Sequence, residues 1–236
     1  MPPPVAIVTG AGSGIGRATA RRLAEAGWSL VLAGRTRSKL QQALEGLASG
    51  CGEDGALVVA CDLKQADACA DLVAQGRDRF GGIDALVNVA GYAALASVAE
   101  TTDELWRETI DTNLSAVVYL TRAVWPVFAD GNGGVIVNVS SMAALDPLPG
   151  FAAYAAAKGG LNLFTEVTNR EGEAIGVRAV AICPGAVETP MLRGLFDQAT
   201  FPPDQTLDPD TVAELIVRCL DPAQPPRDQA VVRIER

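Results

Sequence analysis

The chain has 236 residues, which at roughly 100–200 residues per domain reads as one domain, and 49% apolar against 20% charged residues is a globular composition. It holds no His, only three Lys and only three Tyr, which excludes Ser-His-Asp and Cys-His nucleophile pairs, HExxH proteases and Cys2His2 zinc sites. A formal net charge of −9 opposes binding to nucleic acid, and no run approaches the ~18 uninterrupted apolar residues of a membrane span.

In chain order, Val5 to Thr9 is a short β-branched run and reads as a buried strand. A glycine loop follows, then helical spacing from Ile15 to Ala26 with Gly27 as its stop. Strands are predicted at 29–33, 56–60, 84–89, 134–139, 177–182 and 230–234. Helices are predicted near 37–48, 65–79, 103–129 and 152–172. Past Thr189 the pattern loosens into a short proline-rich cap near 190–207, after which Asp208 and Pro209 read as an N-cap and first helical residue. That helix runs to about Leu220, and a proline-rich turn, Asp221 to Asp228, leads to the last strand. Apolar strands joined by helices imply parallel pairing with right-handed crossovers. The expected fold is α/β: a single doubly wound Rossmann-type parallel sheet over 1–236, with helices on both faces.

The start, Met-Pro-Pro-Pro-Val, has neither the positive nor the apolar region of a signal peptide, and Cys51, Cys61, Cys69, Cys183 and Cys219 are odd in number with no CxxC spacing. Both features predict a cytoplasmic protein with reduced thiols and without a metal site.

The loop Thr9-Gly10-Ala11-Gly12-Ser13-Gly14-Ile15-Gly16 sits between the first strand and the first helix. In that place glycines let backbone approach a pyrophosphate, and the helix N-terminus offers unpaired N–H groups. No Gly-Lys-Ser/Thr follows, which argues against a Walker A loop. At the end of the second strand an NAD site commonly carries an acid for the ribose hydroxyl. Here Gly34-Arg35-Thr36-Arg37 has none, and the Arg35 guanidinium suits a 2′-phosphate, so NADP(H) is favoured over NAD(H).

Tyr154 and Lys158 stand four apart in a predicted helix, hence on one face. With so few of either residue, such a pair arises by chance about 0.04 times. Ser141 lies thirteen residues upstream at the end of an apolar strand, where ligands meet a parallel sheet.

With these motifs in this order, the chain resembles the short-chain dehydrogenase/reductase family over about residues 5–190. The family's TGxxxGxG loop matches Thr9 to Gly16, and its acidic residue after the third strand matches Asp62. Its Asn-Asn-Ala-Gly segment matches Asn88-Val89-Ala90-Gly91, with Val89 in place of the second Asn. Its Asn, Ser, Tyr and Lys fall on Asn113, Ser141, Tyr154 and Lys158, and its Pro-Gly segment with a later Thr on Pro184, Gly185 and Thr189.

The resemblance implies hydride transfer between NADP(H) and a small carbonyl or alcohol substrate. Tyr154 would be the proton donor, with its pKa brought down by Lys158, a shift of about 4 kcal/mol that a charge some 4 Å away could supply. Ser141 would hold the substrate oxygen, Asn113 a water chain, Lys158 the nicotinamide ribose, Thr189 the carboxamide, and Asp62 with Leu63 the adenine. Gly10, Ser13, Gly14, Ile15, Gly16, Arg35, Asn88, Ala90, Gly91, Pro184, Gly185 and Val187 complete the implied cofactor contacts. A homo-oligomer, dimer or tetramer, is implied as well. Tyr92 to Leu95, Met142 to Phe151 and the cap are expected to line the substrate pocket. Met142, Leu145, Leu148 and Phe151 would make it apolar unless they pack the core, and Arg193 could bind a carboxylate or face water. The reading from another class is a dinucleotide-binding sensor or assembly subunit without turnover.

Overall fold

The computed structural model describes residues 2–47, 54–221 and 230–235. Residue 48, Cys51, the proline-rich turn after Asp221 and Arg236 lie outside the described residues. Seven strands, β1 (Val5–Thr9), β2 (Ser29–Gly34), β3 (Ala56–Ala60), β4 (Ala85–Asn88), β5 (Gly134–Val139), β6 (Val177–Pro184) and β7 (Val231–Ile234), form one sheet in the order 3-2-1-4-5-6-7. Every pairing is parallel, β1 meeting β2 from Val5↔Ser29 to Thr9↔Ala33 and β4 from Ala6↔Ala85 to Val8↔Val87.

The helices are α1 (Gly14–Glu25), α2 (Arg37–Glu45), α3 (Ala66–Phe80), α4 (Asp103–Ile110), α5 (Ala116–Asp130), α6 (Ala152–Gly172), α7 (Pro190–Leu195) and α8 (Pro209–Leu220). Successive strand residues point to opposite faces, so each fully buried strand feeds two cores. In β1, Ala6 and Val8 join Leu23 of α1 and Ile216 of α8 on one face. Val5 and Ile7 join Leu72 of α3 with Val124 and Phe128 of α5 on the other. Phe128 has no exposed surface, and a cavity in its place would cost about 3–5 kcal/mol. The sheet is therefore doubly wound, as its apolar strands imply.

The predicted helix 103–129 is not continuous. Asp111–Ser115 is a π turn between α4 and α5, with the Ala116 N–H reaching the Asp111 carbonyl. Its one extra residue per turn is the local irregularity that Asn113, a poor helix former, signals in sequence. The cap holds a helix that loose periodicity conceals: Thr189 accepts from the Leu192 N–H at 3.3 Å and Pro190 occupies the first turn of α7. The same signal, Asp208 before Pro209, does predict α8, where Asp208 accepts from Asp210 N–H at 2.8 Å. No helix among the described residues is long and apolar enough to cross a membrane.

Candidate active site

Strand order reverses between β1 and β4, and loops leaving the carboxyl ends of adjacent strands part there to leave a crevice. A cavity of about 720 Å³ occupies it, and the loops after β1, β2, β3, β4, β5 and β6 all contribute to its wall.

The glycine loop is held from below. Thr9 Oγ1 accepts from the N–H groups of Val89 (3.0 Å) and Ala90 (3.1 Å), tying the end of β1 to the end of β4. Gly10 has φ +64°, and a Cβ there would lie 2.9 Å from the Ala90 nitrogen. Gly16 is packed harder still, since its Cβ would fall 2.3 Å from the Gly10 carbonyl oxygen. Ser13, Gly14 and Ile15 line the cavity; Gly16 does not, and its part is to let the loop fold back on itself. The Ser13 side chain makes no capping bond, so the first N–H groups of α1 are not capped by it.

Arg35, Asp62 and Leu63 line the end of the cavity beside β2 and β3, together with Lys39, which sequence reasoning passed over. Lys39 sits two residues into α2, close behind Arg35 in the chain. Asp62 accepts from the Lys64 N–H at 3.1 Å, while the Lys64 ammonium pairs with Glu108 at 2.7 Å. Ala90 and Gly91 line the middle of the wall, as does Val89 in the position where the family pattern has Asn. Asn88 does not line it. That side chain is buried, its Nδ2 donating to Asn138 Oδ1 at 2.8 Å, and Asn138 in turn donates to Thr165 at 2.9 Å. The Asn88 amide nitrogen thus joins β4 to β5 within the sheet.

Pro184, Gly185, Val187 and Thr189 line the cavity past β6. Beyond capping α7, Thr189 donates its hydroxyl to the Val187 carbonyl at 3.1 Å.

Tyr154 and Lys158, one turn apart on α6, and Ser141, just past β5, meet at the cavity floor. Ser141 is among the groups that act on the Tyr154 phenol. Ser141 Oγ also accepts from the Ala143 N–H at 3.1 Å, whereas the neighbouring Ser140 hydroxyl turns to the Lys158 carbonyl oxygen at 3.3 Å. The Lys158 ammonium lies 5.7 Å from the centre of the Tyr154 ring and donates to the Val139 carbonyl oxygen at 2.8 Å. Burial lowers the Lys158 pKa to about 8. Burial also raises the Tyr154 phenol above its ordinary value, with Ser141 pulling the other way and nearby Cys183 adding to the rise. With the Lys158 ammonium donating to a backbone carbonyl oxygen, desolvation of the phenol is the larger influence on Tyr154 in this geometry.

Asn113 is fully buried in the π turn, beside the cavity but not on its wall. Its Nδ2 donates to the carbonyl oxygens of Tyr92 (2.7 Å) and Thr109 (2.8 Å), and its Oδ1 accepts from the Tyr92 N–H at 3.2 Å. The amide clamps the loop after β4. A Cβ on Gly91 would come within 3.0 Å of that Oδ1 and 3.9 Å of the Lys158 nitrogen, so Gly91 lets the two approach.

On the substrate side, Met142, Leu148 and Phe151 line the cavity, whereas Leu145, Tyr92 and Leu95 do not. Arg193 does not line the cavity and keeps only part of its side chain, 20%, exposed. It pairs with Glu188 and donates to the carbonyl oxygens of Asp197 (3.1 Å) and Phe201 (2.9 Å), pinning the cap. Asp146 in the 142–151 stretch and Phe196 and Phe201 in the cap also line the cavity, as expected of those stretches, whereas Glu235 lines it without a signal in sequence.

The residues present fit a dinucleotide. The loop glycines leave space that a Cβ would fill, the start of α1 meets the cavity, and its far end carries Arg35, Lys39 and, paired with Glu108, Lys64.

A family model described as short chain dehydrogenase matches residues 4–200. An uncharacterized oxidoreductase of Staphylococcus haemolyticus is 34% identical over 230 residues, covering 97% of this chain and 96% of the relative. One from Staphylococcus aureus is 31% identical over 218 residues, 92% of this chain and 90% of the relative. Among solved structures, a variant actinorhodin polyketide ketoreductase with NADPH superposes with a TM-score of 0.90 at 31% identity, covering 98% of this chain and 95% of that one. A 3-ketoacyl-(acyl-carrier-protein) reductase from Brucella melitensis, complexed with NADH, gives 0.90 at 27% identity, covering 99% and 97%.

Proposed function

This chain belongs to the short-chain dehydrogenase family of oxidoreductases, and from that premise we propose that it interconverts a carbonyl compound and its alcohol with NADP(H), using Ser141, Tyr154 and Lys158. The observation that carries the reading is that Ser141, Tyr154 and Lys158 line one cavity at the sheet's switch point, Tyr154 and Lys158 one turn apart on α6.

When bound, the nicotinamide supplies or accepts the hydride. Ser141 and Tyr154 direct their hydroxyls at one substrate oxygen. As negative charge develops there, Ser141 holds it by a hydrogen bond and Tyr154 gives up its proton, or takes one back in the reverse direction. A phenol pKa raised by burial keeps Tyr154 in the donor form at neutral pH. Lys158, charged below about pH 8, stabilises the phenolate left behind and bonds the nicotinamide ribose. Asn113 orders the loop above them. Arg35 and Lys39 would hold a 2′-phosphate, Asp62 and Leu63 the adenine, and Thr189 the carboxamide. We place the enzyme in the cytoplasm, since the described thiols Cys61, Cys69, Cys183 and Cys219 are free. We also read it as a homo-oligomer, for which exposed Trp106 on α4 and Leu163 and Val167 on α6 offer an apolar face.

The test is NADPH consumption over a panel of ketones and aldehydes. Tyr154→Phe should lower kcat by about 100-fold or more while cofactor affinity is kept. Tight cofactor binding without turnover on any carbonyl or alcohol would favour a sensor or assembly subunit instead.

A further inference from the structure

The wall beyond Tyr154 is a chain of aromatic rings. The Phe151 ring centre lies 5.7 Å from that of Tyr154, Phe196 lies 6.2 Å from Phe151, and Phe201 lies 4.9 Å from Phe196 in an edge-on contact. These spacings are those of aromatic pairs that attract one another. Phe151 precedes α6, and the other two follow α7, in the segment that Arg193 pins through the carbonyl oxygens of Asp197 and Phe201.

Asp146 and Glu235 line the same cavity. The one cation that sequence offered for a carboxylate, Arg193, is held by Glu188. Lys158 already donates to Val139. The whole chain carries −9, so an anionic substrate approaches against the field, and among the described residues Arg35 at the far end is the only guanidinium on the cavity wall.

We infer that the substrate is a neutral ketone or aldehyde bearing an aromatic or similarly flat apolar ring next to the carbonyl, and that the site discriminates against the carboxylate of the same shape. This rests on the oxidoreductase reading above. The carbonyl oxygen sits at Ser141 and Tyr154, and the ring lies among Phe151, Phe196 and Phe201. Reduction adds a hydride to the carbonyl carbon and the Tyr154 proton to the oxygen, giving a secondary alcohol from a ketone or a primary one from an aldehyde, and an oxidised nicotinamide; solvent then restores the Tyr154 proton.

Ethyl benzoylformate and benzoylformate share one aryl ketone and differ in charge. With saturating reduced cofactor, kcat/KM should favour the ester by about 100-fold. Asp146→Asn should shrink that ratio by about 5-fold, because it removes a facing negative charge. Phe196→Ala should lower kcat/KM for the ester by about 10-fold, through KM for the ketone and not for the cofactor. Equal or better use of the acid overturns the inference, as does inertness of both compounds while some aliphatic carbonyl is reduced. If cofactor binds but no carbonyl of any kind oxidises it, the oxidoreductase reading itself has failed, and this inference with it.

Discussion

The Lys158 ammonium donates to the Val139 carbonyl oxygen at 2.8 Å, joining the middle of α6 to the end of β5. The lysine is 4% exposed, and burial brings its pKa to about 8. An unfolded lysine keeps its proton to about pH 10.4. Between these values the unfolded chain binds more protons than the folded one, so stability rises with pH across the window. Below about pH 8 both states are protonated and the cost is present in full. Tyr154, whose pKa is raised, acts in the opposite sense above about pH 10 and closes the window there. Urea midpoints measured from pH 7.5 to 10 should show the native chain gaining on Lys158→Met. A difference that stays flat with pH would refute the assignment.

Asn113 satisfies both backbone groups of Tyr92 from inside the π turn. Asn113→Ala strands a buried N–H and a C=O at once, and each is worth about 1–3 kcal/mol. We expect a lower Tm together with faster amide hydrogen exchange at Tyr92. Unchanged exchange at that amide would show that the clamp is not what orders the loop.

Gly14 and Gly16 should respond differently to alanine. At Gly16 the new Cβ meets backbone, the Gly10 carbonyl oxygen at 2.3 Å, whereas at Gly14 it meets the Thr189 methyl at 3.0 Å with φ at +50°. The second strain is about 1–2 kcal/mol and a side chain can give way. Gly16→Ala should therefore cost more cofactor affinity than Gly14→Ala, with circular dichroism intact in both. Fluorescence titration checks the order, and equal losses would mean that loop packing is not the cause.

Arg35 and Lys39 are cations at the cavity's far end that no acid among the described residues is seen to pair with. If they hold a 2′-phosphate, removing either by alanine substitution should weaken NADPH by about 10-fold and leave NADH unchanged, because only NADPH carries that group. Tighter binding of NADH than of NADPH by the native chain would reverse the preference.

Much of the site could be read in the chain because its signals are local. Tyr154 and Lys158 share a helix face, Ser141 ends a strand, and the glycines stand between a strand and a helix. Each needs only periodicity and spacing. The same logic extends to α7, whose Thr189 and Pro190 carry the start signal that identified α8, so that helix was legible though passed over. What was not legible is the pairing of Asn88 with Asn138, fifty residues on, because no local pattern encodes a contact between separate strands.

The sequence by itself determined the alternation of strands and helices, the parallel sheet and the identity of the residues that gather at its switch point, since these follow from patterns a few residues long. Tertiary structure alone decided how those residues are disposed toward one another. It turned Lys158 to a backbone carbonyl, spent Arg193 on the cap and placed Phe196 and Phe201 beyond Tyr154. The physical reason is that burial, charge and ring contacts depend on partners brought together from distant segments, and no local pattern encodes which side chain a buried group will meet.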